Sequence, residues 1–554
     1  MTSIMNTQRS IEIAIPPQRP GKPSFCAETQ DGIEAWASGL SMADAQAAAN
    51  TLFAAIAELN RLKMRAGRRF YALETLRPLV HFTCAAMARS RLRRGHELKE
   101  GRQRARLAQA LQTELACGYS IIIAESLRRG VELHAGSTRS SAGGRVVVAI
   151  HRTITELSHA LLRCLQHYTP PPHRLWAQLH QLFSLAESRG VLNSKVQDPE
   201  HQLRRRSSIA DAYARALMLG AARPNTLRPG VLGTLFVVLE EWSRLVHVVD
   251  DGDDHGSMMV VELNGDGPPV PRSLQTADDD RDLRSLDASA LLLPLNSYLA
   301  DAAGRDSERP ALLAAANDDL IRHAVHAWGA ITKRSYKRMP VAGHLDACLG
   351  MQALHRNLDA GGRQRVARRR KRNAENTAPP LFQLTLMDAS PGGYGMTLEG
   401  EWPADLQVGE LLGIREHDTA DWHIAVLRWA CNTGDAMRIG IELLAPRAEA
   451  ASARVLTTRG GSNWTQVLIL PEISAIAQPS QLITPRGQFR VGQKLMLRRH
   501  SRETRARLEA SQAITDSFVQ YALAEFGGDS TTRVTGIEVD FIDDGDSELR
   551  KFRL

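Results

Sequence analysis

Partway along the 554-residue chain the apolar pattern changes period, and this change limits the architecture more than any single motif does. From Gly32 to about Val249, apolar residues recur every three or four positions. LSMADAQAAANTLFAAIAELNRLKM, QRARLAQALQTELACGYSIIIAESLRRG and SSIADAYARALMLGAARPN all show it. That is the spacing of an amphipathic helix. From Pro340 onward the runs shorten, alternate, and are divided by glycine-bearing turns, as in FQLTLMDASPGGYGMTLEG, DWHIAVLRWACN and AMRIGIELL. That cadence belongs to small barrels or sandwiches. The chain is therefore expected to be multidomain: a mostly α-helical N-terminal region followed by one or two small antiparallel β-barrels.

Local signals divide it further. Pro16, Pro17, Pro20 and Pro23 keep residues 1–25 from a regular helix, so they read as a flexible arm. Residues 26–249 form the helical region, with a helix start at Ser41 to Asp44 and breaks at Pro170 to Pro172 and near Gly190. Short breaks between helices suggest stacked helical hairpins. Residues 250–329 begin with the acidic DDGDDHG and read as a linker and mixed segment. Residues 330–446 read as the first barrel, with HLDACLGMQALH as its opening strand and a polar, arginine-rich insertion at 356–380. Residues 447–554 are β-rich, either a second barrel or an extension of the first.

Composition removes several classes of function. Apolar residues make up 43% of the chain, enough for real cores and too much for disorder. Lysine and arginine total 69 against 61 acidic residues, a net +8, too little for a general polyanion-binding coat. The longest nearly apolar run, Val231 to Leu239, falls far short of the roughly twenty residues that cross a bilayer. The N-terminus lacks a basic head and apolar core, and the six cysteines contain no CxxC. A reduced, cytoplasmic protein is expected. No GxSxG, Walker lysine motif or HExxH is present, so no enzyme activity is expected and no catalytic residue is assigned.

One constellation carries chemistry. Arg334 and Arg338 stand four apart just before the first barrel strand. Guanidinium forks match phosphate oxygens and the Hoogsteen edge of guanine, and they stack on flat rings. DASPGGYG follows, with Asp388 and Ser390 two apart at a strand end. Asp388 can accept from guanine N–H donors and Ser390 can add a hydroxyl bond. Gly392, Gly393 and Gly395 allow close backbone approach. Spacing alone does not single out this arginine pair, because Arg365 with Arg369 and Arg368 with Arg372 repeat it. With Arg365 and Arg369 as the pair, however, only residues 370–387 would be left for the first strand, and NAENTAPP makes a poor one.

Taken in order, RSYKR, DASPGG, the strand with VLRW ending at Trp429, and RIGIELL from Arg438 to Leu444 resemble the landmarks of a PilZ domain. PilZ domains are the bacterial receptor module for cyclic di-GMP. The resemblance covers about residues 330–446. It implies a six-stranded barrel whose arginine segment wraps a cyclic dinucleotide over the barrel mouth. It would give Arg334 and Arg338 the clamping of guanine and phosphate, Asp388 and Ser390 the reading of guanine, and Gly393 the turn. The expected function is a cyclic di-GMP receptor or effector, needing no cofactor or metal, in which binding at the helix–barrel junction changes the domain arrangement and the interaction with a protein partner. A PilZ-like scaffold without ligand is the alternative.

The remaining signals have plain readings beside functional ones. RQRVARRRKR, from Arg363 to Arg372, packs seven positive side chains into ten residues. It suits nucleic acid, an anionic membrane surface or an acidic protein face. It has no zinc motif, helix-turn-helix or interleaved aromatics, which argues against nucleic acid. Asp251 to His255 lacks the glutamate of a calcium loop and reads as an acidic turn. His173 and His180 could share a helix face, but nothing completes a zinc set, and Trp176 between them reads as core.

Overall fold

The structure is a computed structural model. It describes residues 13, 15–90, 98–137, 139–251, 258–274, 282–300, 309–329, 337–364, 381–400, 402–403, 405–417, 419, 421–457, 460–474, 477–499 and 502–526. The chain forms two compact units, residues 1–333 and 334–554.

The first unit opens with helices α1 (Gln30–Gly39), α2 (Ala45–Arg61), α3 (Ala66–Ser90), α4 (Leu98–Arg128), α5 (Ala142–Gln166) and α6 (Leu175–Ser188). Asp44, not Ser41, caps α2: its carboxylate accepts from the backbone N–H groups of Gln46 and Ala47. These are donors that the first helical turn leaves unpaired. Helix α5 starts where the Ser141 hydroxyl accepts from Gly144 N–H. It is buried along nearly its whole length, and α3, α4 and α6 pack on it. A short antiparallel hairpin follows, β1 (Lys195–Gln197) with β2 (Arg206–Ser208). It runs straight into α7 (Ile209–Ala221) through a Ser208–Asp211 capping box. Pro229 then opens α8 (Pro229–Trp242). Strands β3 (His247–Asp250), β4 (Met259–Glu262), β5 (Val270–Pro271) and β6 (Leu283–Asp287) form a sheet in the order β3-β6-β4-β5. Helices α9 (Ser289–Ala300) and α10 (Asp318–Gly329) complete the unit.

The interior of this unit is not wholly apolar. On α3, Arg77 is 3% exposed; its Nε donates to Glu156 at 2.7 Å, and its two terminal nitrogens grip both Asp198 oxygens at 2.6 and 2.9 Å. Arg152 donates to Glu74 at 3.0 Å and to the Gln197 carbonyl at 2.8 Å. Burial alone would push the Asp198 carboxyl up, but Arg77 and Arg152 hold it well below the usual carboxylate range. Removing one member would leave a charge buried and unpaired, a loss of about 3–5 kcal/mol. His180 is also structural: its ring bonds the Tyr213 hydroxyl at 2.7 Å and the Gly267 carbonyl at 3.0 Å, inside the core.

The second unit begins with β7 (Met339–Leu349), α11 (Gly350–Gln364) and β8 (Phe382–Ser390). Strands β9 (Gly393–Glu399), β10 (Leu411–Glu416), β11 (His423–Asn432) and β12 (Ala436–Ala445) follow. Six strands close into a barrel in the order β10-β11-β12-β9-β8-β7. Leu384, Met396, Leu398, Leu427, Ile439 and Ile441 are buried within it. HLDACLGMQALH is not one strand. The strand starts earlier and ends at Leu349; Gly350, at φ +84°, turns the chain, and α11 follows. The reason is packing. Met351, Leu354 and Leu358 recur at helical spacing and face an apolar cluster made with Cys348, Ile424, Val426, Leu468, Leu470 and Phe518. The first part of the expected insertion is therefore helix. Residues 365–372 of the basic run, and residues 252–255 of the acidic turn, lie outside the described residues.

The C-terminal segment forms β13 (Glu449–Thr457), β14 (Gly460–Gly461), β15 (Thr465–Leu470), β16 (Gln481–Pro485), β17 (Lys494–Arg499), β18 (Arg502–Ile514) and β19 (Phe518–Phe526). Pairing of β13 with both β15 and β17 closes a second six-stranded ring, with β14 appended to β13. It is a barrel in its own right and not an extension of the first. Helix α11 lies where the two barrels meet, and His355 donates to the Ala451 carbonyl at 3.0 Å.

Candidate functional site

The register of the first barrel sets up one lateral row. Pro340 pairs with Asp388, Asp388 with Gly395, Gly395 with Gly440, and Gly440 with Trp429. Paired residues on neighbouring antiparallel strands project to the same face. Along β12, Met437, Ile439 and Ile441 are buried in the barrel while Arg438 and Glu442 are exposed, so Gly440 between them lies on the outer face. Asp388, Gly395 and Trp429 share that face.

Two glycines make the row a floor. A Cβ on Gly395 would lie 2.5 Å from Asp388 Oδ1 and 2.8 Å from Arg338 Nη1. A Cβ on Gly440 would lie 1.8 Å from Trp429 Nε1. The carboxylate and guanidinium therefore rest over one glycine and the indole over the next, about 5 Å away across the sheet. Arg338 donates to Asp388 in an ion pair whose side chains are 28% and 31% exposed. The pair is open to water and to a ligand, unlike the sealed pair of Arg77 and Asp198.

Ser390 and Gly393 build the adjoining turn. The Ser390 hydroxyl donates to the Gly393 carbonyl at 3.1 Å, and Leu443 N–H donates to the Gly392 carbonyl at 3.1 Å. A Cβ on Gly393 would stand 2.0 Å from the Ile441 carbonyl oxygen, so only glycine lets β9 start this close to β12. Glu442 flanks the turn and accepts from Arg428 Nε at 2.6 Å.

Four of the five expected site residues thus lie together: Arg338, Asp388, Ser390 and Gly393. Arg334 lies outside the described residues. Spacing alone gave Trp429 and Gly440 no role. The signal available was the glycine inside the alternating RIGIELL, which leaves room for a bulky cross-strand neighbour. Among the described residues no cluster of three His, Cys, Asp or Glu side chains could hold a metal, and no helix is long and apolar enough to cross a membrane.

Comparison with known proteins covers nearly the whole chain. Residues 31–252 match the family described as Cyclic-di-GMP receptor FimW, N-terminal domain. Residues 258–365 and 356–450 match the middle PilZ domain of that receptor, and residues 451–526 match the FimW C-terminal beta-barrel domain. The barrel with the glycine floor is thus a PilZ domain. The chain is 31% identical to the Cyclic-di-GMP receptor FimW of Pseudomonas aeruginosa, over 93% of its own length and 94% of that protein. With all three domains in sequence and this degree of identity, the chain belongs to the FimW family.

Proposed function

We propose that this protein is a cyclic di-GMP receptor whose site is the outer face of the first barrel around Arg338, Asp388 and Trp429. The observation that carries the reading is the partly exposed Arg338–Asp388 pair resting on a glycine floor beside an indole. A cyclic dinucleotide needs three things of a site: cations for its phosphates, an acceptor for guanine N–H groups, and a flat surface for its bases. Arg338 supplies the first, Asp388 the second and Trp429 the third. Arg334 would add the second guanidinium. The name of the Pseudomonas relative points to the same ligand.

Binding would exchange one ion pair for several. The guanidinium of Arg338 turns from Asp388 to phosphate, and the freed carboxylate accepts from guanine. The arginine segment also joins the helical unit to the barrels in sequence. Drawing its guanidiniums onto the ligand would shift the balance among arrangements of the units and alter what the protein presents to a protein partner. No bond is made or broken, so the role is that of a receptor and not an enzyme.

Calorimetric titration of the intact protein with cyclic di-GMP tests the reading. Charge-assisted hydrogen bonds are worth about 1.5–3 kcal/mol each, so Arg338→Ala should weaken binding roughly 10- to 100-fold. Arg334→Ala should act in the same direction. Absence of heat and of thermal shift at tens of micromolar ligand would instead leave a PilZ-fold scaffold.

A further inference from the structure

The helical unit carries a second built site. Between β1 and β2 the chain makes a tight excursion, and its main chain is held by buried carboxylates from below. Asp198 accepts from Glu200 N–H at 3.2 Å, and Asp198 N–H donates to the Arg205 carbonyl at 2.8 Å. Glu240 on α8 accepts from the N–H groups of Leu203 and Arg204 at 2.7 and 3.3 Å. Each carboxylate is itself fixed by buried guanidiniums: Asp198 by Arg77 and Arg152, Glu240 by Arg215. The His201 ring bonds the Arg204 carbonyl at 3.1 Å and Arg215 Nη1 at 3.0 Å.

So much buried charge stabilises the fold little, since replacing such groups by apolar ones is often neutral or better. What it does here is fix a loop. The end of the loop and the first residue of β2 bear Arg204, Arg205 and Arg206 in succession, and with Gln197, Leu203 and Glu241 they line an open cavity of about 600 Å³. Arg205 and Arg206 are exposed. Leu203 is 43% exposed, an apolar side chain standing among guanidiniums. Glu241 places a carboxylate in the wall, 3.7 Å from Arg204 and 3.5 Å from Arg244.

We propose that this cavity docks an acidic peptide segment of a partner protein, one that carries an aliphatic side chain between its carboxylates. Arg205 and Arg206 take the carboxylates, Leu203 takes the aliphatic group, and Glu241 accepts a peptide N–H. A bare phosphate fits less well, because Glu241 would oppose it and Leu203 would have no partner. Small-molecule sites are mostly apolar, and this wall is mostly charged. A loop already rigid loses little freedom on binding, which favours affinity for a flexible segment. The inference does not depend on the nucleotide site, which lies in the other unit.

The test uses the full chain and a fluorescein-labelled decapeptide of glutamates with leucine at every third position, followed by anisotropy. Saturable binding is expected, with at least a tenfold loss in Arg205→Glu/Arg206→Glu, a few-fold loss in Leu203→Ala, and no change in the variants' melting temperature. Arg498→Glu, a charge change of the same sign on the second barrel, should leave binding intact. The proposal is overturned if the intact protein does not bind the peptide, if Arg498→Glu weakens it as much as the loop variant does, or if millimolar pyrophosphate displaces it from the loop.

Discussion

Two arginine–aspartate pairs in this chain have the same chemistry and opposite settings. Arg77 and Asp198 are sealed in the helical unit, where two parallel hydrogen bonds and further cations leave the carboxylate no freedom. Arg338 and Asp388 lie on the outside of a barrel, partly in water, over a glycine. The first pair is framework, because breaking it leaves a charge stranded. The second can be opened, because water or a ligand can satisfy each partner separately. Burial, and not residue type, decides whether an ion pair supports a fold or waits for an anion.

The largest difference between the pairs should appear in stability. Asp198→Asn removes the carboxylate that Arg77 and Arg152 share, leaving them only Glu156 and Glu74 and an excess of buried positive charge. It should cost about 3–5 kcal/mol, read as a lower denaturation midpoint of the intact protein. Asp388→Ala should cost under about 1 kcal/mol of stability, as for an exposed pair. A similar loss from both would erase the distinction.

The floor can be tested separately. Gly440→Ala drives a Cβ into the Trp429 indole and should cost about 1–3 kcal/mol through overpacking, while also weakening cyclic di-GMP binding. Thermal melts and calorimetry on the same samples would show both effects.

Acid should separate the units as well. Burial holds His151 and His159 well below the usual imidazole range and His180 and His201 down at about 4. These rings stay neutral in the folded protein, while the unfolded chain takes up protons below about pH 6.5. Stability from them is full above that pH and falls as pH drops from about 6.5 toward 4, by about 1.4 kcal/mol for each unit of depression per histidine. Tryptic cleavage sites mapped along a pH series should open first in residues 1–333. First opening in the barrels would contradict this.

The smallest effect is expected on the second barrel. There Trp464 stands between Arg454 and Arg498, whose guanidiniums lie 4.7 and 3.9 Å from its ring. Arg498→Ala should cost at most about 1 kcal/mol and leave cyclic di-GMP affinity unchanged. The second barrel thus serves as a control for the proposed site: it has six strands and an indole but lies outside the glycine floor beneath Asp388 and Trp429.

Much of this was legible in the sequence, for physical reasons. The helix-to-strand change showed because amphipathic period follows from which face is buried. The motif DASPGG was visible because acceptor, hydroxyl and glycine fall within one turn. Helix α11 was missed because LGMQALH also alternates well enough for a strand. Its helical state rests on Leu354 packing into an apolar cluster that also holds Leu468 and Phe518, more than a hundred residues away. The floor was hidden for the same reason, since Gly395 and Gly440 become neighbours only through barrel register. The network around Asp198 left no local pattern: Arg77, Arg152 and Asp198 come from three separate segments.

Ultraviolet cross-linking of radiolabelled cyclic di-GMP to the intact protein, with the adducts mapped by mass spectrometry, tests the proposed nucleotide site most directly. Label is expected on the β11 peptide carrying Trp429, lost in Arg338→Ala and competed by unlabelled ligand. Competable label confined to residues 1–333 or to the second barrel, with Trp429 unmodified, would contradict it.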